Sequence, residues 1–128
     1  MKSIFRKKLS LTNKGKELIK HYKTMVDTGY QRSDGIHIKN TYEDFELKNF
    51  KDHIAPHFLS FDIKSVLDYG GGGSNWEKKD FAGDKSAKSF FNLDKVINYE
   101  PARGLNELDS CDCVVCFDVL EHIYLNDL

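Results

Sequence analysis

Three acidic residues, Asp68, Glu100 and Asp118, each close an apolar, β-branched run, so they fall at the carboxyl ends of three predicted strands. In open α/β sheets ligands bind outside those ends, where the strand order reverses. Carboxylates there accept hydrogen bonds from hydroxyls and amines. The trio therefore suits a nucleoside carrying an amino-acid tail better than a phosphate. Gly70-Gly71-Gly72-Gly73-Ser74-Asn75 follows the first acid. Glycines let a backbone turn sharply and approach a ligand without Cβ interference, and a Ser or Asn after them can cap a helix. Val66 to Trp76 thus predicts a strand, a tight turn and a helix N-terminus. The phosphate signature Gly-x-x-x-x-Gly-Lys-Ser/Thr is absent. Gly-x-Gly-x-x-Gly also fails, because its third glycine position holds Asn75 or Trp76.

Other residues could act beside this corner. His122 and Glu121 are candidate bases at the start of a helix, where His122 could equally make only local hydrogen bonds. Tyr30, Arg32 and Asp34 could touch a ligand or simply form a surface turn. Cys111, Cys113 and Cys116 lie on a predicted strand, where the first two share one face and the third takes the other. That arrangement suits small buried residues better than a metal set, and no metal site is expected.

The elements that must position these groups follow from periodicity. Thr12 to Asp27 predicts a helix with Leu18, Ile19, Tyr22, Met25 and Val26 on one face and lysines on the other, stopped by Gly29. Gln31 to Gly35 is a loop with a turn at Arg32-Ser33-Asp34-Gly35. A second helix is expected from Thr41, its cap with Asp44 three residues on, to Ile54, and Pro56 should kink or end it. Its aromatic face is Tyr42, Phe45, Phe50, Ile54 and Phe58. Strands are expected at Lys64–Tyr69, Lys95–Glu100 and Cys111–Phe117, the last buried on both faces. A helix at Asp84–Phe91 should separate the first two. Asn75 to Asp84 fits neither period, Ala102 to Ser110 reads as a polar connection, and a helix should begin at Asp118.

A chain of 128 residues holds one domain at most, with a basic arm and helix over 1–40 and a cofactor-binding part over 41–128. Net charge is -1, which leaves no nucleic-acid footprint for the whole chain. Residues 1–23 nevertheless carry eight basic residues against Glu17, which suits either a solvated arm or an anion-docking one. No apolar run approaches transmembrane length, and three crowded cysteines suit a reducing cytoplasm.

Two segments carry a family resemblance. Val66-Leu67-Asp68-Tyr69-Gly70-Gly71-Gly72-Gly73 resembles motif I, Asp/Glu-x-Gly-x-Gly, of class I S-adenosylmethionine-dependent methyltransferases. Cys111-Asp112-Cys113-Val114-Val115-Cys116-Phe117-Asp118-Val119-Leu120-Glu121-His122 resembles their fourth-strand motif, with Leu-Glu-His at the next helix. The resemblance implies an α/β fold, a partial Rossmann-like doubly wound sheet, mainly parallel, with N-terminal helices packed beside the motif I strand. It implies S-adenosylmethionine as cofactor, bound by Asp68, Gly70, Gly71, Gly72, Glu100 and Asp118. Asp68 would order the turn and reach the methionine amine. Glu100 would grip the ribose hydroxyls if its strand is the family's second, or approach the adenine amine if it is the third. Asp118-Val119-Leu120 is not the Asn/Asp-Pro-Pro-Tyr of enzymes that methylate nucleobase or amide nitrogens, which leans toward a small-molecule or unusual acceptor, with His122 the candidate catalytic base. Family members continue past Leu-Glu-His with further strands. The chain is therefore expected to be a fragment, one half of a split enzyme, or a protein whose Cys111–Phe117 edge another copy or a complementing chain covers. Two other readings remain: a non-catalytic cofactor-binding fragment and an NAD-dependent oxidoreductase domain.

Overall fold

The computed structural model describes residues 10–40 and 45–128. In chain order its elements are helix α1 (Asn13–Thr28), the hairpin β1 (Tyr30–Gln31) and β2 (His37–Ile38), and helix α2 (Leu47–Ser60). Strand β3 (Ser65–Tyr69), helix α3 (Ala87–Phe90), and strands β4 (Lys95–Glu100), β5 (Leu105–Asn106) and β6 (Cys113–Val115) follow. Short 3-10 turns occupy Pro101–Arg103, Leu120–His122 and Leu125–Asp127. The fold is mixed α/β around a four-stranded, mostly parallel sheet of order β5-β4-β3-β6. The apolar run ahead of the glycines forms the central β3. It pairs in parallel with β4 along its whole length and with β6 from Val66 to Asp68. β5 is antiparallel and lies within what the sequence marks as a polar connection.

Helix α1 starts at Asn13, one residue after the expected Thr12, which serves as its cap. Thr12 Oγ1 accepts from the Gly15 N–H at 3.0 Å, and the Gly29 N–H closes the other end on Met25 O at 2.8 Å. The short hairpin was not legible as strands, but its turn is where the residue types put it, with the Gly35 N–H donating to Arg32 O at 2.9 Å.

The second helix differs from expectation at both ends. Thr41, Tyr42 and Asp44 lie outside the described residues, and α2 begins at Leu47. It runs through Pro56 to Ser60. Pro56 is exposed, and so is Asp52, whose carbonyl it leaves without an N–H partner in the helix. Ile54, Ala55 and Phe58 on the opposite side pack on the core and hold the turn together. Leu47 and Val66 are wholly buried, and Phe58, Trp76, Phe81, Phe91, Leu93 and Val115 complete the centre. Trp76 and Phe81 anchor the irregular segment after the glycines, and both meet Phe45, Trp76 edge-on at 5.3 Å and Phe81 tilted at 5.2 Å between centroids. The helix expected from Asp84 shrinks to Ala87–Phe90, capped by Ser86.

The last third departs most from expectation. β6 has three residues rather than seven, and Val114 is 57% exposed, so this strand is not buried on both faces. It is an edge strand, and side-chain bonds replace the ladder at its start. Asp112 Oδ2 accepts from the Lys64 and Ser65 N–H groups at 2.9 and 3.0 Å, while Ser65 Oγ accepts from the Asp112 N–H at 2.8 Å. These bonds hold the Asp112 carboxyl below its usual range. Asp118 adopts φ +51°, a left-handed conformation that stops regular structure, and 3-10 turns follow in place of the expected α-helix. No helix among the described residues is long and apolar enough to cross a membrane.

Candidate functional site

The carboxyl ends of β3, β4 and β6 open into one cavity of about 460 Å³. Asp68, Gly70, Gly71, Gly72, Glu100, Asp118 and His122 all line it, so the structure gathers the residues expected at the cofactor together with His122, while the other candidate base, Glu121, is outside the lining. α1 forms its roof through Gly15, Leu18, Ile19, Tyr22 and Val26. The helix thus lies across the strand ends.

Asp68 sits beneath the glycine turn, 3% exposed. The Trp76 Nε1–H donates to its Oδ2 at 2.7 Å. Burial pushes the Asp68 carboxyl up to about 6; the Trp76 bond works against the rise and the Glu100 charge adds to it. The turn wraps this carboxylate closely, and a Cβ on Gly71 would overlap it. Gly70 and Gly72 have φ of +72° and +57°. The Gly70 N–H donates to Tyr99 O at 2.7 Å, and the Gly72 N–H donates to Glu100 Oε2 at 2.9 Å. Glu100 therefore reaches across from β4 and fixes the turn from the other side. Tyr69 and Tyr99, partners in the β3–β4 register, stack at 5.1 Å between centroids and also line the cavity. Burial raises both phenols above their ordinary range.

The expected helix N-terminus after the glycines is absent. The Ser74 Oγ–H donates back to Gly71 O at 2.5 Å, and Asn75 Oδ1 accepts from the Glu77 N–H at 3.0 Å. Both residues close local turns rather than cap a helix. The glycine turn therefore presents no helix dipole to a ligand.

Asp118 and His122 are exposed and stand at the mouth. His122 Nε2 lies 3.7 Å from Glu121 Oε1, and its ring meets the Tyr22 ring edge-on at 6.4 Å. Tyr30, Arg32 and Asp34 do not line the cavity, and Arg32 pairs with Asp34 at 2.9 Å. The three cysteines are half-buried outside it. Among the described residues no group of three or more His, Cys, Asp or Glu is placed to hold a metal.

Two contributors had no clear sequence signal. The apolar stripe of α1 was legible, but not that it covers the strand ends. Asp127 also lines the cavity, and it ties the roof together. Its Oδ1 accepts from the Thr12 N–H at 2.6 Å and its Oδ2 from the Thr12 Oγ1–H at 2.7 Å. Gly15 leaves room for this carboxylate, which a Cβ there would overlap.

No protein-family profile matches the chain, and neither a curated protein nor a solved structure matches it.

Proposed function

We propose that this chain is a Rossmann-like S-adenosylmethionine-dependent methyltransferase acting on a small-molecule acceptor. One observation carries the reading: the glycine turn and the acids at three parallel strand ends converge on a single cavity. The residues present suit the cofactor. β4 is the immediate parallel neighbour of β3, the place of the family's second strand, which favours Glu100 as the ribose ligand. Asp68 orders the turn from below, with one oxygen engaged by Trp76 and the carboxylate facing the cavity that would receive the methionine amine. The bound cofactor supplies a methyl group activated by its sulfonium. This chain then has little chemistry left to do beyond positioning, with His122 at the mouth to take a proton from the acceptor.

An NAD-dependent reading fits less well. A pyrophosphate is held by the N-terminus of the helix that follows the glycines, and here turns take that place. The test is calorimetry with S-adenosylhomocysteine and NAD in parallel. Binding of S-adenosylhomocysteine, weakened about tenfold or more by Gly72→Val, is the expected result. Preference for NAD, or binding of neither, overturns the proposal. A second reading rests on β6, whose outer edge has no strand partner among the described residues. It makes the chain the cofactor-binding half of an enzyme that another chain completes. Cofactor binding without methyl transfer to any of a panel of small acceptors would favour it.

A further inference from the structure

We propose that the cavity takes a second ligand beneath α1, and that this ligand is a small apolar amine in its ammonium form. The charges of the lining point there. Glu46, Asp68, Glu100, Asp118 and Asp127 face the cavity, with Arg103 the only lysine or arginine among the described lining residues. Among the described residues no lysine or arginine forms an ion pair with Asp68, Glu100 or Asp118. The lysines of α1 are exposed and stay outside the cavity: Lys20 pairs with Glu17, and Lys23 with Asp27. S-adenosylmethionine, with two cationic groups and one carboxylate, would bring a net single positive charge. An excess of carboxylate remains, and an anionic second ligand would meet it with repulsion.

The roof supplies the other half of the argument. Leu18, Ile19 and Val26 offer aliphatic surface and Tyr22 adds an aromatic ring, while the Tyr124 ring already carries the Lys14 Nζ at 5.9 Å from its centroid. The volume of about 460 Å³ is in the lower part of the range for small-molecule sites, so the second ligand must be compact. The inference rests on the methyltransferase reading only in making this amine the acceptor. In that role the ammonium would first give a proton to His122 or water, and the freed nitrogen lone pair would then form the new bond to the methyl carbon as the carbon–sulfur bond breaks with its electron pair on sulfur, leaving a methylammonium.

Benzylamine, benzyl alcohol and benzoate share a ring and differ in charge. Each is titrated into the full 128-residue chain without cofactor, by calorimetry and ligand-observed NMR. Benzylamine should bind at least about tenfold tighter than benzyl alcohol, with benzoate weakest. Asp118→Asn, which keeps a residue type tolerant of left-handed backbone, should reduce that preference, as should Glu46→Gln. Equal binding of the three, tighter binding of benzoate, or a preference unchanged in both variants overturns the inference. Parallel titration with S-adenosylhomocysteine separates the two proposals. Its binding without an amine preference sinks only this inference, and an amine preference without its binding sinks only the methyltransferase.

Discussion

β3 has two parallel neighbours, and they are built differently. On one side β4 pairs with it from Ser65 to Tyr69, stacks Tyr99 on Tyr69, and sends Glu100 to the Gly72 N–H. On the other side β6 covers only Val66 to Asp68, begins with an aspartate clamp and ends at a left-handed Asp118. The β4 side holds the glycine turn through a backbone bond to Tyr99 and through the half-buried Glu100. The β6 side supplies exposed groups at the cavity mouth. On the proposed function, binding would fall to the side that fixes the glycine turn and proton handling to the side of exposed groups, the division expected when loops on a fixed scaffold carry variable function.

The sharpest way to break the rigid side is Gly71→Val. The new side chain would overlap the Asp68 carboxylate in a buried setting. Such overpacking should cost about 3 kcal/mol or more, read from urea unfolding. Asp68 offers a second test, through pH. Its carboxyl rises from 3.8 when unfolded to about 6 when folded, so the native state binds more protons between those values. Asp68 therefore favours folding most at pH below 3.8, and that contribution is lost as pH rises through about 6. Relative to Asp68→Asn, which lacks the titration, the native chain should lose up to about 3 kcal/mol between pH 3.5 and 7. Parallel stability curves for the two proteins would refute the burial argument.

The looser side should respond less. Asp127→Ala removes two hydrogen bonds to Thr12 and should cost about 1–3 kcal/mol. Hydrogen exchange should speed up in the first turn of α1 while β3 and β4 stay protected. Val114→Thr, on the exposed face of β6, should change stability by less than about 0.5 kcal/mol. A larger loss there would mean that something covers this face in solution.

Legibility in the sequence follows the same divide. β3 and β4 were readable to within a residue at either end, because β-branched runs end at Gly70 and Pro101, and local chemistry alone stops them. The three site acids were readable for the same reason, as each closes such a run. α2 was misplaced, because core packing of Ile54, Ala55 and Phe58 outweighs the local penalty of Pro56. The length of β6 was overestimated because an apolar run does not say how many partners it finds. Trp76 looked like part of a polar segment, and only the fold shows that its indole belongs to Asp68. Asp127 could not be found from spacing, since its partner lies 115 positions away.

That separation gives the Thr12–Asp127 contact a kinetic meaning. Closing so long a loop requires most of the chain to be ordered first, whereas α1 itself forms from local contacts. The helix should therefore form early and dock late. Asp127→Ala should then hasten unfolding and leave the folding rate nearly unchanged, so the roof of the cavity is the last part of the protein to arrive and the first to leave.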